Sequence, residues 1–382
     1  MLVIRCFLLI FLTFLCIEDL VLSLTTTDKI ISYGYPIEVY QLQTEDGALL
    51  GMERIPHGKR FNGTIGKPVI LMCPLLSSSI PYVITNISMA FSLADAGFDV
   101  WLSNYRAMGI SNKMRHLSQM NWNYSIHELG IYDFPATVDF VLKHTNFSKV
   151  DVVGVSMGAG ITLIGLSERP EYNAKIRKIL MIAPAARNGH MLSIKPYRRL
   201  IINYPVIQYL KRYKYIIFAQ DTDNYFLGKL CKNPFFRYSC VAIMNFYQGI
   251  NVSLDYNVIA DFVRTYPQPV SSKYVVHVFQ SVISGRFQKY DYGPYGNLKH
   301  YNSSIVPEYN ITKVTAPSII IYSKDDIVTS PSDIKWLLNN LPNMKDSYFI
   351  QMEPFSHQGL IVGKRAHIVV YPYMIKKLLE ED

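Results

Sequence analysis

The chain has 382 residues, of which 49% are hydrophobic and 18% are charged, and its formal net charge at pH 7 is +9. This length fits one large domain or two ordinary ones, and the apolar content suffices for a packed core, so disordered, collagen-like and coiled-coil proteins are excluded. Five cysteines are too few for a disulfide-rich scaffold. The basic residues form no long block, which argues against a nucleic-acid partner.

The N-terminus predicts a secretory signal peptide over residues 1–23. A short basic start at residues 1–5 precedes a nearly unbroken apolar run at residues 6–17, and Ser23 offers a small residue for cleavage. An uncleaved membrane anchor is the competing interpretation, although the run is short for one. Because no other apolar run is long enough to cross a bilayer, the mature chain is expected to have no transmembrane segment.

Seven Asn-x-Ser/Thr sequons agree with passage through the secretory pathway, and several are expected to be glycosylated at the surface. They are Asn62, Asn86, Asn123, Asn146, Asn251, Asn302 and Asn310. Three cysteines follow the predicted signal peptide. In an oxidising compartment Cys231 and Cys240 can close a short local loop, which leaves Cys73 unpaired. Cys73 ends an apolar run, so we expect a buried free thiol.

Strand and helix patterns alternate through the first half of the chain. Strands are predicted over residues 37–43, 48–54, 68–72, 98–103 and 150–155, with a turn at residues 45–47. Helices are predicted over residues 88–96, 131–143 and 158–168. This alternation with buried apolar strands predicts an α/β fold, in which a mostly parallel sheet carries helices on both faces.

The alternation stops over residues 187–307, which are basic, rich in Tyr and Phe, and helix-like with few strand signals. It returns with strands over residues 318–322 and 347–352 and helices over residues 332–341 and 366–379. The simplest account is one α/β core with an inserted, mostly helical cap. We therefore place the two parts of the core at residues 24–186 and 308–382, and the cap at residues 187–307.

Residues 154–158, Gly-Val-Ser-Met-Gly, match the pattern G-x-S-x-G between a buried strand and a helix. In such a turn the glycines allow strand and helix to approach closely, and Ser156 is held at the helix N-terminus. The backbone amide of Met157 then points to where an oxyanion would develop. A nucleotide-binding loop is the alternative, but Leu163 occupies the position where G-x-G-x-x-G needs its last glycine.

A serine nucleophile needs a base and an acid that orients the base, and on folds of this kind the acid and then the histidine follow the serine. Asp325 and Asp326 come directly after the predicted strand at residues 318–322, and His357 lies in a loop after the last predicted strand. His277, among apolar residues in a helical pattern, is more typical of a core or cap residue. No zinc-type spacing of His and Cys is present, so no metal is expected, and this serine chemistry needs no cofactor.

A second oxyanion donor should come from the loop after residues 68–72. That loop begins with Cys73, Pro74 and Leu75. Pro74 has no amide hydrogen and cannot donate, whereas Leu75 can donate through its backbone amide.

With these motifs the sequence resembles the acid lipases of the gastric and lysosomal type, within the α/β hydrolases, over about residues 28–375. The segments that carry the resemblance are IISYGYPIEVY (30–40), TEDG (44–47), RIPHGK (54–59), LADAGFDVWL (93–102), YDFPATVD (132–139), GRFQKYDYG (285–293) and LNNLPN (338–343).

The resemblance implies a role for each candidate residue. Ser156 is the implied nucleophile, Asp326 rather than Asp325 the acid, and His357 the base. The backbone amides of Leu75 and Met157 are the implied oxyanion donors. The resemblance also implies a cap disulfide between Cys231 and Cys240, and a lid over an acyl-binding cleft.

Four loops depart from the family pattern. Cys73-Pro74 stands where the family has His-Gly, and Val155 and Met157 flank Ser156 where the family has His and Gln. Tyr105 and Ala107 replace the Ser and Gly of Asn-Ser-Arg-Gly, and Gln358-Gly359 replaces Leu-Asp after the histidine. Since the three catalytic side chains are kept, these changes bear on efficiency and substrate preference.

The leading hypothesis is a secreted or lysosomal serine hydrolase that cleaves triacylglycerols or sterol esters through an acyl-enzyme. Its expected partner is a lipid–water interface. Residues 197–219, which mix Arg and Lys with Ile, Tyr and Phe, either meet that interface or form an ordinary solvated cap helix. The alternatives are a non-catalytic lipid-binding protein that kept the fold, and a general carboxylesterase or thioesterase.

Overall fold

The computed structural model describes residues 25–60, 63–114, 119–191, 205–216, 221–249, 256–351 and 354–381. The predicted signal peptide and the sequons at Asn62 and Asn251 lie outside these residues. The five other sequon asparagines are exposed, as glycan acceptors must be.

The described residues contain ten strands, most of which build one sheet. They are β1 (Glu38–Gln43), β2 (Leu49–Ile55), β3 (Pro68–Met72), β4 (Asp99–Ser103), β5 (Val150–Val155), β6 (Ile176–Ile182), β7 (Tyr215–Ile216), β8 (Val270–Ser271), β9 (Ser318–Ser323) and β10 (Met344–Ile350). Eight of them form a sheet in the order β1-β2-β4-β3-β5-β6-β9-β10, while β7 and β8 pair separately. Strand β2 runs antiparallel to β1 and β4, and the other pairs in the large sheet are parallel. This is the predicted mostly parallel sheet.

Helices connect these strands and build the inserted segment. Those described are α1 (Thr26–Ser32), α2 (Met89–Asp95), α3 (Ile126–Glu128), α4 (Phe134–Thr145), α5 (Met157–Glu168), α6 (Pro205–Leu210), α7 (Asp221–Lys232), α8 (Arg237–Gln248), α9 (Tyr256–Val263), α10 (Ser272–Ser284), α11 (Pro294–Tyr301), α12 (Pro331–Asn340), α13 (Gly359–Val362), α14 (Ala366–Val369) and α15 (Tyr371–Leu379). A π-helical turn, Leu129–Asp133, joins α3 to α4.

Mostly apolar strands form the centre of the sheet. Every residue of β3, β4 and β5 is buried, as expected of strands covered on both faces. Helix α5 is apolar on all sides and is buried from its first residue to Ser167, so it packs within the core rather than on its surface. The bounds predicted for β3 and β5 are confirmed to the residue, because turn residues flank both runs.

Two strands of the large sheet differ from the sequence prediction by more than one residue. Strand β10 spans Met344–Ile350, earlier than the predicted residues 347–352, because it is an edge strand and its mostly half-exposed residues form no apolar run. Strand β6 was not predicted, since Arg177 and Lys178 interrupt its apolar pattern. Both side chains donate hydrogen bonds to backbone carbonyls at the C-terminal end of α15, which accommodates their charges beside the sheet.

The described part of residues 187–307 is mostly helical, as predicted, and comprises α6 to α11 with the short β7–β8 pair. Cys231 in α7 and Cys240 in α8 form a disulfide, whereas Cys73 is a buried free thiol. Burial raises the pKa of Cys73, and its thiol donates to the carbonyl of Ser103 over 2.7 Å. The domain boundaries at residues 187 and 307 stay a prediction.

An ion pair joins α10 of the inserted segment to α3 of the core. Lys273 Nζ lies 3.2 Å from Glu128 Oε1, and both side chains are largely buried. Burial by itself raises the pKa of Glu128, but the charge of Lys273 and hydrogen bonds from Ser125 outweigh it and lower the pKa to about 2. The ionised form of Glu128 is therefore stabilised in the folded protein.

We expect Glu128→Gln to lower the free energy of unfolding by about 2–3 kcal/mol at neutral pH. The folded-state pKa lies below the ordinary value of 4.5, so the contribution is present above pH 4.5 and is lost as the pH falls toward about 2. Urea unfolding of both proteins over this range measures it. The matched control is Glu308→Gln, which breaks an exposed 2.7 Å ion pair with Arg286 and should cost less than about 1 kcal/mol. If the loss of unfolding free energy in Glu128→Gln does not change with pH, the lowered pKa of Glu128 is not its cause.

Candidate active site

Ser156 is the one residue between the end of β5 and the start of α5. Its backbone angles, φ 53° and ψ −118°, are unusual for a residue with a side chain and indicate local strain. Two hydrogen bonds hold it there: its N–H donates to the carbonyl of Ile182 over 2.9 Å, and its own carbonyl accepts from the N–H of Ala185 over 3.0 Å. The end of β6 therefore fixes the position of the serine.

The glycines on either side of Ser156 permit this tight turn. A Cβ atom at Gly158 would lie 2.3 Å from the carbonyl oxygen of Met72, and one at Gly154 would lie 2.6 Å from the Cα atom of Ala159. Neither position has room for a side chain, which agrees with the close approach of strand and helix predicted from the motif.

Ser156, His357 and Asp326 form a continuous chain of hydrogen bonds. His357 Nε2 lies 2.8 Å from Ser156 Oγ, and His357 Nδ1 lies 2.7 Å from Asp326 Oδ2. Each residue follows the carboxyl end of a different strand, β5, β9 or β10, so the sheet brings the three together at one edge. All three are at most 5% exposed.

The carboxylate of Asp326 is held by its own loop. Its Oδ1 atom accepts from the backbone N–H groups of Val328 and Thr329 over 2.8 and 2.9 Å, and Oδ2 accepts from the Thr329 hydroxyl over 2.7 Å. Because the carboxylate accepts from Nδ1–H of His357, Nε2 is left to accept the serine proton. Asp325 is half-buried, and the structure brings Asp326 rather than Asp325 to the histidine.

The loop after β3 lies beside Ser156. Met72, the last residue of β3, pairs with Gly154 of β5, so the loop that holds Pro74 and Leu75 starts next to the serine turn. Leu75 is half-buried, and Leu76 has φ 53°, in the left-handed region. Met157 is the first residue of α5, where backbone amides have no partner within the helix. Both candidate oxyanion donors are thus close in the fold to Ser156.

His277, the other histidine considered from the sequence, has a structural role. His277 in α10 is fully buried, burial lowers its pKa to about 4, and Nε2 lies 2.9 Å from the carbonyl of Gln288, so the expectation of a core or cap histidine is confirmed. Among the described residues, no group of three or more His, Cys, Asp or Glu side chains could hold a metal ion.

Sequence reasoning missed a buried polar group beneath the loop after β3. Glu53 in β2 is 1% exposed, and its Oε2 atom accepts from the Ser79 hydroxyl over 3.0 Å and from Asn104 Nδ2 over 2.8 Å. Asn104 Oδ1 in turn accepts from the backbone N–H of Ser79 over 3.0 Å. The signal available in the sequence was a glutamate inside an apolar strand, which needs hydrogen-bond partners when it is buried.

Comparison with known proteins assigns the family. A model described as the alpha/beta hydrolase fold matches residues 68–364, and one described as a partial alpha/beta-hydrolase lipase region matches residues 26–86. Human "Lipase member K" is 33% identical over 92% of this chain and 90% of its own length, and mouse "Gastric triacylglycerol lipase" is 31% identical over 94% and 92%. The chain belongs to the acid lipase family of α/β hydrolases. It is a carboxylic ester hydrolase.

Solved structures agree with this fold for the acid lipase chain. A soluble variant of monoglyceride lipase from Saccharomyces cerevisiae, in complex with a substrate analog, superposes with a TM-score of 0.54 at 16% identity, covering 90% of this chain and 96% of that one. At that identity the likeness concerns the fold alone. In the part of the acid lipase chain that the structure describes, no helix has the length and apolar character needed to span a membrane.

Proposed function

We propose that this acid lipase family member hydrolyses the ester bonds of neutral lipids, triacylglycerols or sterol esters, through an acyl-enzyme on Ser156. The observation that carries the proposal is the hydrogen-bond chain from Ser156 Oγ through His357 to Asp326. The gastric triacylglycerol lipases among its relatives support the lipid substrate.

In the proposed reaction Ser156 Oγ attacks the ester carbonyl carbon while His357 Nε2 takes the hydroxyl proton. Asp326, hydrogen-bonded to Nδ1, stabilises the imidazolium that forms. The imidazolium then gives its proton to the departing alcohol, which leaves the acyl group on Ser156. Water loses a proton to His357, attacks the acyl carbon and releases the fatty acid, and Ser156 regains its proton.

The backbone amides of Leu75 and Met157 are the proposed donors to the oxyanion. Support comes from their positions: Met157 starts a helix directly after the nucleophile, and Leu75 lies in the loop that begins beside it. Pro74 has no amide hydrogen, which makes Leu75 the first residue after it that can donate. Such donors stabilise the charge that develops in the transition state.

The cap supports action at a lipid–water interface. Helices α7 and α8 and the turn between them expose large apolar and aromatic side chains, including Phe226, Leu227, Phe235, Tyr238 and Ile243. Exposed basic and aromatic residues at and after the end of α6, namely Tyr209, Lys211, Arg212, Tyr213 and Lys214, add positive charge. Surfaces that mix cationic and aromatic groups suit a lipid boundary. The predicted signal peptide, the sequons and the disulfide support a secreted or lysosomal location.

The test compares hydrolysis of a long-chain and a short-chain fluorogenic ester by the purified protein and by Ser156→Ala, from about pH 4 to about pH 8. We expect turnover of the long-chain ester by the protein and none above background by the variant. The pH of maximum turnover then bears on whether the site of action is acidic or neutral.

Two other outcomes would replace the proposal. Ser156-dependent turnover of the short-chain ester alone would make the protein a general esterase. If both proteins bind lipid and neither hydrolyses ester, the fold serves lipid binding and the proposed mechanism is wrong.

A further inference from the structure

The inserted segment reaches the loop after β3 through Gln268, which lies between α9 and β8. The backbone N–H of Gln268 donates to the carbonyl of Leu76 over 2.9 Å. Its side chain makes two more bonds: Oε1 accepts from the N–H of Gly109 over 3.2 Å, and Nε2 donates to the carbonyl of Thr265 over 2.6 Å. Gln268 therefore joins the cap, the loop after β3 and the loop after β4.

Leu76 needs such external support. Its φ of 53° lies in the left-handed region, which costs a residue with a Cβ atom about 1–2 kcal/mol and persists only where the surroundings hold it. Tyr274 in α10, which is 1% exposed, lies near the backbone of Leu76. Both Gln268 and Tyr274 follow α9 in the inserted segment.

The far end of the same loop is held by the core instead. The backbone N–H and hydroxyl of Ser79 bond to Asn104 and Glu53. A Cβ atom at Gly109 would lie 2.8 Å from Ser78 Cβ, so the loop that Gln268 bonds also packs on this one. The core therefore anchors Ser79, while the cap anchors Leu76.

We propose that Gln268 is a positioning residue, which holds the Leu76 backbone and thereby orients the neighbouring Leu75 amide toward the oxyanion. The inference rests on the proposed function, because the oxyanion role of Leu75 belongs to it. None of these hydrogen bonds of Gln268 involves Ser156, so Gln268 acts through the loop.

The test compares Gln268→Ala with Gln280→Ala on a soluble short-chain ester. Gln280 is the matched control, since its side chain also makes two bonds to backbone, both to Asp291 and over 2.8 and 2.9 Å. Gln268→Ala keeps the backbone N–H that bonds Leu76 but removes the two side-chain bonds that fix the position of that N–H. We therefore expect kcat to fall about 10- to 100-fold with KM within about twofold, because a displaced oxyanion donor weakens transition-state binding alone. Gln268→Glu, which keeps an acceptor for Gly109, should retain more of kcat than Gln268→Ala does.

Hydrogen–deuterium exchange provides a readout that does not depend on activity. Backbone amides of residues 75–78 should exchange faster in Gln268→Ala than in the wild type or Gln280→Ala, with unchanged thermal midpoints as the check on folding. Equal kcat and equal exchange in the two alanine variants, or an effect on KM alone, would overturn the proposal. If the wild type shows no Ser156-dependent turnover, the proposed function fails, and the exchange comparison still decides whether Gln268 holds the loop.

Discussion

Asp326→Asn is expected to lower kcat for ester hydrolysis about 10⁴-fold, whereas Asp325→Asn should leave kcat within about twofold. Asparagine keeps the size of the side chain, but it lacks the negative charge that stabilises the imidazolium. Its amide group also favours the histidine tautomer in which Nε2 carries the proton and cannot accept one from Ser156. The measurement is steady-state kcat and KM on a soluble ester for the wild type and both variants.

The two aspartates make an informative comparison because they are adjacent in sequence, but it is Asp326 that bonds His357. Asp326 Oδ2 lies 2.7 Å from His357 Nδ1, while Asp325 is half-buried and its backbone N–H donates to the Ser323 hydroxyl. Both variants remove one negative charge from the same loop, so a general electrostatic effect would lower kcat in both equally. That result, or a loss confined to Asp325→Asn, would show that the acid is misassigned.

Arg106→Leu is expected to lower the free energy of unfolding by about 3–5 kcal/mol. Arg106 Nε lies 2.9 Å from Asp133 Oδ1, and its two terminal nitrogens lie 2.7 and 2.8 Å from the carboxylate of Asp46. Asp133 is fully buried, so the leucine variant leaves its charge without the guanidinium. Urea unfolding at neutral pH, followed by intrinsic fluorescence, measures the loss.

Arg169→Leu is the matched control, because Arg169 also pairs with two carboxylates, Glu171 and Glu45, but at the surface. Exposed pairs contribute little, so it should cost less than about 1 kcal/mol. Burial raises the pKa of Asp133 even beside Arg106, and loss of the guanidinium raises it further. Asp133 then binds a proton more readily folded than unfolded, so the deficit of Arg106→Leu should shrink as the pH falls. Equal losses in the two variants would contradict this account.

Local patterns predicted those parts of the fold and site that depend on neighbouring residues. The buried runs at β3 and β5 and the turn around Ser156 are each contained in a few consecutive residues. Helix α1 was missed although Thr25 and Asp28 form a capping box, which is also a local signal. The helix is too short to show an apolar periodicity beside this capping box.

Long-range contacts account for what the sequence could not predict. The spacing did not separate Asp325 from Asp326; the resemblance to the acid lipases did. Strand β6 was missed because the carbonyls that accept from Arg177 and Lys178 belong to α15, about 200 residues later in the chain. The bonds of Gln268 to Leu76 and Gly109 likewise join distant segments, and one of them uses a backbone N–H that carries no residue-specific signal.

Strands β6 and β9 pair directly, with Ile179 opposite Ser318, although the whole inserted segment separates them along the chain. The chain leaves the sheet and returns to the neighbouring strand, so the insertion imposes no gap on the sheet beneath it. An insertion of different length or composition can begin and end at the same two points while Ser156, Asp326 and His357 keep their places. Evolution can therefore alter the insertion without moving these three side chains, while its contacts with the core, such as that of Gln268 with Leu76, constrain what can replace it.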